Sequence, residues 1–331
     1  MVNSVGIFNE KVHEVNGAKG VRIYSAVSAF PRVVSVTSGK GGVGKTNIVG
    51  NLAIALRRLG KRVLILDGDL GLANIDIIFG LSPAYNIRHV ISGEKDLAEV
   101  IVEGPEGILI IPAGSGVHEL AHLTNGQKLN LLNEFDTLDG DFDIFLIDTG
   151  AGISSNIIYF NIAAQERIVV ATCEPSSIRS ASALMEIMHT QHGTRRFKLL
   201  VNMVNDEEEA RSVLEDLTGS LERFGKDMSL EYLGFILKDD NFQRAAREQC
   251  PVLQRYPESA SSKGFCELAE RFLASSGNGL SDGNIKFFWK KLISCHKGRG
   301  RTQRLDRTVR PVGKILGKPH SITPSPQCIY G

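Results

Sequence analysis

The sequence predicts an α/β fold, a mostly parallel β-sheet with helices on both faces, and three observations carry the prediction. Short continuous runs rich in Val, Ile and Leu alternate with stretches of helical periodicity from residue 32 to residue 275. A glycine-rich loop joins the first such run to the first helical stretch. The composition, 42% hydrophobic and 23% charged over 331 residues, is that of a globular chain with a large core, which excludes a wholly disordered protein.

Taken in order, residues 1–31 show no period and read as a flexible extension. Arg32–Thr37 is the first strand, and a helix runs from about Thr46 to Leu59, where Gly60 ends it. Arg62–Asp67 (RVLILD) is a buried strand. Further strands are expected at Gly107–Pro112, Asp143–Asp148, Arg167–Thr172, Phe197–Val204 and Tyr232–Leu237. Helices are expected near 117–137, 155–164, 177–191, 207–225, 240–249 and 263–274. This is one domain, 32–275, without an internal repeat. A polar linker over 276–283 leads to a short amphipathic segment, 284–294, and a basic tail, 295–331, whose Gly, Pro and Arg lack periodicity and read as disordered.

Five scattered cysteines, odd in number and without a CxxC pair, argue against a disulfide framework or a zinc or iron–sulfur site and suit a reducing cytoplasm. The first thirty residues lack the basic start and apolar run of a signal peptide. No apolar run approaches the roughly 18 residues needed to span a bilayer.

Gly39-Lys40-Gly41-Gly42-Val43-Gly44-Lys45-Thr46 matches GxxxxGK[ST] between a strand and a helix. Glycines let successive backbone N–H groups turn toward phosphate oxygens, and the helix N-terminus favours an anion. In such a loop Lys45 bridges the outer phosphates of ATP and the Thr46 hydroxyl ligates Mg2+. Asp148 closes the apolar strand Ile144–Ile147, where an acid would hold the magnesium, and Asp67 and Asp69 follow the strand Val63–Leu66. Strand C-termini of an open parallel sheet converge on the ligand, so all three carboxylates are expected at the loop.

His118-Glu119-Leu120-Ala121-His122 matches HExxH, but no third zinc ligand follows in a familiar spacing, and two exposed histidines are the expectation. In 284–294, Ile285, Phe288, Trp289, Leu292 and Ile293 share one helical arc opposite Lys286, Lys290 and Lys291, with Phe287 the exception off the apolar face, the pattern of an interfacial membrane helix. From Asn284 onward eleven Lys and Arg face one acid, Asp306, whereas the whole chain carries a net charge of only +1. The body is therefore acidic and the tail basic, which suggests an anionic partner such as a lipid surface or DNA.

The second lysine, Lys40, directly after the first glycine makes KGGVGKT resemble the deviant Walker A motif of the MinD/ParA family of P-loop ATPases. Within the family, LDGDLGLANID (Leu66–Asp76) and IDTGAGISSN (Ile147–Asn156) look like the flagellar branch, FlhG (also FleN or YlxH), which sets flagellar number and placement. The partitioning branch carries Asp-Pro-Gln where this chain has Asp69-Leu70-Gly71. The division proteins carry Arg and Ser-Pro-Ala where it has Ala73 and Thr149-Gly150-Ala151.

The resemblance implies a slow Mg-ATP hydrolase that dimerises with ATP. Lys40 would contact the partner's phosphates, Asp69 would polarise the attacking water and Asp67 would support Mg2+. Asn202 would face the adenine, and the loop Leu237-Lys238-Asp239 would close over it, with Leu237 standing where the family usually has proline. It further implies a cytoplasmic protein peripheral to the inner face of the membrane, with a flagellar partner such as the GTPase FlhF or a transcription activator. The glutamine-containing segment with which the branch often begins does not occur in residues 1–31. The alternative readings are a DNA-binding partitioning ATPase and a division-site regulator.

Overall fold

The computed structural model describes residues 31–69, 74–113, 125–136, 138, 142–222 and 227–275. The amphipathic segment 284–294, the linker, the tail, residues 1–30 and the His118–His122 string lie outside the described residues. The elements are β1 (Arg32–Ser38), α1 (Lys45–Arg58), β2 (Val63–Gly68), α2 (Ile75–Ile78), α3 (Ile87–Ser92), α4 (Leu97–Val100), β3 (Val102–Glu103) and β4 (Leu109–Ile111). There follow α5 (Asn125–Asp136), β5 (Ile144–Ala151), α6 (Ser155–Ala163), β6 (Glu166–Ala171), α7 (Pro175–His192), β7 (Arg196–Val204), α8 (Glu207–Leu221), β8 (Ser229–Leu237), α9 (Asp240–Arg247), α10 (Val252–Arg255) and α11 (Ala260–Ala274).

The eight strands form one sheet in the order β3-β4-β2-β5-β1-β6-β7-β8. All neighbours are parallel except β3, which runs antiparallel to β4. The chain builds outward on one side of β1 and later on the other, so the turn after β1 lies where the order reverses, the usual ligand position in such sheets. Alternate residues divide the core. Val34 and Val36 pack with α1 and α11 on one face. Val33, Leu64 and Leu66 pack with α3, α4 and α6 on the other, and α7 and α8 continue that layer over β6 and β7. Each fully buried aliphatic side chain contributes about 1.5–3 kcal/mol, so the central strands need no polar face.

The predicted strands all form, with three changes of extent, the first being that the strand expected at Asp143–Asp148 runs on to Ala151. Pro105–Gly107 makes a 3-10 turn, which shortens the strand expected at Gly107–Pro112 to Leu109–Ile111. The last strand starts at Ser229 instead of Tyr232. Of the helix expected over 117–137, Asn125–Asp136 is described. The last helix begins at Ala260, earlier than 263, because Ser259 caps it by accepting from the Ser262 N–H at 3.2 Å. The short α2, α3, α4 and α10 were not expected, since four to six residues hold too few turns to display a period.

At the N-terminal edge of the sheet the charges are matched. Arg32 donates twice to Glu166, at 2.8 and 2.9 Å. Lys198 reaches Glu166 at 3.3 Å, Glu231 at 3.0 Å and the Ser275 hydroxyl at 2.6 Å. Arg32 also donates to the Phe272 carbonyl at 3.1 Å and lies over the Phe272 ring. The start of β1 and the end of α11 are thereby fastened together.

Candidate functional site

At the opposite edge, β1 runs into the loop Gly39–Gly44 and then into α1. Two glycines are required here. A Cβ on Gly39 would lie 2.0 Å from the Ser180 carbonyl oxygen of α7. Gly44 sits at φ +89, and a Cβ there would lie 2.6 Å from Asn202 Nδ2. The exposed Gly41 and Gly42 and the buried Val43 complete the turn. Gly44 is the N-cap of α1 and offers no side chain to its first N–H groups, and the first turn carries no acid. That helix end is left to an anion from outside the chain.

Lys45 opens α1 with 8% of its surface exposed. Burial lowers its pKa, and the charges of Asp148 and Asp69 oppose that effect. Asp67 and Asp148 are register partners on the adjacent strands β2 and β5, and each is 1% exposed. Burial holds both carboxyls well above the usual carboxylate range. For Asp148 the Asp67 charge adds to this, while the Thr46 hydroxyl and Lys45 oppose it. Asp67 accepts from the N–H groups of Asp69, Asn74 and Ile75 at 3.1, 3.0 and 3.2 Å, so it also shapes the segment after β2.

Asp148 Oδ1 is buried and makes no hydrogen bond. Two buried carboxylates, an adjacent hydroxyl and an orphaned oxygen suit Mg2+, which would be held by Thr46, Asp148 and Asp67 together with phosphate oxygens and water. Among the described residues no three His, Cys, Asp or Glu side chains form a metal cage of their own, and a magnesium ion bound largely through a nucleotide needs none.

The other expected residues are placed as follows. Asp69 lies beside the β5 end, where a Cβ on Gly150 would be 3.4 Å from Asp69 Oδ1. Lys40 is paired within its own chain, with Glu174 and with the Ser176 hydroxyl at 2.9 Å. Hydrogen bonding to Lys40 and its charge draw the Glu174 carboxyl below its ordinary range. Asn202 is fully buried and donates to the Val43 carbonyl at 2.8 Å, so here it braces the phosphate loop and offers no surface to a base. Its Oδ1 has no partner.

Asp239 caps α9 by accepting from the Asn241 N–H at 2.8 Å. It also accepts from the Ser261 N–H at 3.0 Å and hydroxyl at 2.8 Å, so its carboxylate ties the start of α9 to the start of α11. Burial opposes ionisation of Asp239, but the hydrogen bonds from Ser261 and Asn241 prevail and its pKa is lowered.

Sequence reasoning missed Glu174 and Ser176. Glu174 follows strand β6 at the same sheet edge as the three aspartates, so the strand-end argument applied to every strand would have found it. It also missed Ser180, whose backbone forces glycine at 39 and carries no side-chain signal at all.

Comparison with known proteins agrees with this geometry. A family model described as an AAA domain matches residues 31–201. The antiactivator FleN of Pseudomonas aeruginosa is 38% identical over 79% of this chain and 93% of its own length. The flagellum site-determining protein YlxH of Helicobacter pylori is 32% identical over 79% of this chain and 90% of its own. Among solved structures, the MinC:MinD cell division protein complex of Aquifex aeolicus superposes with a TM-score of 0.60 at 26% identity, over 74% of this chain and 97% of that one. With a phosphate loop bearing Lys40, buried aspartates across from it and relatives of this kind, the chain belongs to the MinD/ParA family of P-loop ATPases and is similar to its flagellar FlhG (FleN/YlxH) members.

Proposed function

We propose that this protein is a dimerising switch that hydrolyses Mg-ATP slowly and sets flagellar number and placement from the inner face of the cell membrane. Family membership supports ATPase activity with nucleotide and magnesium, and the likeness to FleN and YlxH supports regulation of flagella. The observation that carries the switch is Lys40: it lies on the surface beside the phosphate loop, held by Glu174 and Ser176 of its own chain.

The loop amides and Lys45 bind the phosphates. Mg2+, held by Thr46, Asp67 and Asp148, supplies charge neutralisation. Asp69 orients the water, a role its position beside Gly150 at the end of β5 supports. In the ATP state Lys40 exchanges Glu174 for the partner's phosphates, which joins two copies. The 237–239 loop borders the base, Asp239 through the helix starts it holds, and Asn202 acts on the nucleotide through the phosphate loop it braces.

Residues 284–294 then bind anionic lipid through Ile285, Phe288, Trp289, Leu292 and Ile293. One such helix binds weakly, and two in a dimer bind well, because the second attachment is intramolecular. A GTPase of the FlhF type or a transcription activator is the protein partner.

The test follows Trp289, the single tryptophan. With anionic liposomes its emission shifts to the blue with Mg-ATP but not Mg-ADP, and light scattering shows a dimer only with ATP. Lys40→Ala abolishes both changes. Emission indifferent to nucleotide and lipid would overturn the membrane switch. The eleven basic residues from 284 onward favour one other reading, DNA partitioning. Salt-sensitive DNA binding by the ATP state, without lipid binding, would establish it.

A further inference from the structure

We infer that Asn161, buried in the last turn of α6, is a positioning residue for ATP hydrolysis: it keys α6, and with it the segment 149–154, to the strand that carries the phosphate loop. The inference rests on the ATPase reading above. Helix α6 is otherwise apolar past its first turn, with Ile157, Ile158, Phe160 and Ala163 buried. Asn161 is 0% exposed within it, and an amide there is unfavourable unless its hydrogen bonds are made.

They are made, and two of the three reach one strand. Asn161 Oδ1 accepts from the Ser35 hydroxyl at 2.8 Å, and Nδ2 donates to the Thr37 hydroxyl at 3.0 Å and to the Ile157 carbonyl at 2.8 Å. Ser35 and Thr37 are also fully buried and lie on the same face of β1, two residues apart. Thr37 immediately precedes Ser38 and the loop.

Apolar contacts between a helix and a sheet tolerate small slides, whereas these bonds do not. A slip of α6 by one residue, about 1.5 Å, would break both bonds to β1. Upstream of α6 the chain is fastened to the same strand. The Thr149 hydroxyl donates to the Val36 carbonyl at 3.0 Å, and the Gly152 N–H donates to the Ser38 carbonyl at 2.9 Å. Asn161 is the downstream anchor of that segment, and Gly150 within it borders Asp69. The phosphate loop has its own supports, Asn202 on Val43 and α7 on Gly39. Loosening Asn161 should therefore disturb the hydrolytic end of the site and leave phosphate binding in place.

The test uses the full chain with Ser35→Ala, Thr37→Val and Asn161→Leu combined, which replaces the bonded set by apolar groups and leaves no buried partner unpaired. The expected result is a melting temperature close to that of the unaltered protein, turnover at saturating ATP lower by about fivefold or more, and a KM for ATP within about twofold. Amide exchange in 149–154 should quicken while that in α1 does not change. Full turnover with unchanged exchange in a folded triple variant would overturn the inference. If the triple variant does not fold, Ser35→Ala alone is read in the same way. If the unaltered protein hydrolyses no ATP, the proposed function fails, and the exchange result still decides the role of Asn161.

Discussion

The two edges of the central sheet both bury acidic side chains, and they treat them in opposite ways. At the N-terminal edge Glu166 meets Arg32 and Lys198, and the group closes on Glu231 and Ser275. At the C-terminal edge Asp67 and Asp148 face each other across neighbouring strands, with Lys45 as the nearby buried cation and with Asp148 Oδ1 unpartnered. The first arrangement satisfies its charges within the chain. The second leaves acid in excess, which a magnesium nucleotide can use. The contrast teaches where stability has been yielded to function.

Breaking the matched edge should have the largest effect. Glu166→Ala leaves the part-buried Arg32 without its carboxylate and Lys198 with Glu231 alone, and should destabilise by about 3 kcal/mol, a fall in melting temperature on the order of 10 °C. Thermal unfolding followed by circular dichroism reads it. Asp148→Asn should act in the opposite direction on stability. Without nucleotide it relieves the buried like charges and raises the melting temperature by a few degrees near pH 8, yet ATP turnover should fall by about a hundredfold, or roughly 2.7 kcal/mol. A destabilised Asp148→Asn protein would contradict the excess-acid account.

The pH dependence sharpens the same comparison. With both carboxyl pKa values raised, the folded state holds more protons than the unfolded one across the weakly acidic to neutral range. Stability therefore declines as pH rises from about 4, the ordinary carboxylate value, to about 8. Mg-ADP should shrink that decline, and Asp148→Asn should flatten it, both visible in melting curves at a series of pH values. The smallest effect belongs to the exposed pair Arg62–Asp143, also at the matched edge, with 3.0 Å between charged atoms. Arg62→Ala should change stability by about 1 kcal/mol or less.

The sequence made the β1-loop-α1 unit legible because the phosphate loop has its chemistry in consecutive residues. Asp67 and Asp148 were legible because a strand end in a parallel sheet has only one place to go. Asn202 and Asp239 illustrate the limit. Both lie at the expected edge, but whether a carboxylate there faces a ligand or caps a helix depends on Ser261, 22 residues away and without any local mark. Asn161 was not visible for the same reason, since its partners Ser35 and Thr37 stand more than 120 residues earlier. The brief helices after β2 escaped because tertiary packing, not periodicity, decides such short pieces.

The clasp between Arg32 and the Phe272 carbonyl has a consequence for how the molecule can be rebuilt. The first strand and the last helix of the domain meet within the reach of one side chain, so a short connector could join them and new ends could be opened in a surface loop. In such a rearranged chain, segments now attached before residue 31 and after residue 275 would start from the opened loop instead of from the matched edge. Comparing its ATP turnover with that of the parent would reveal whether the place from which those segments start matters to the site.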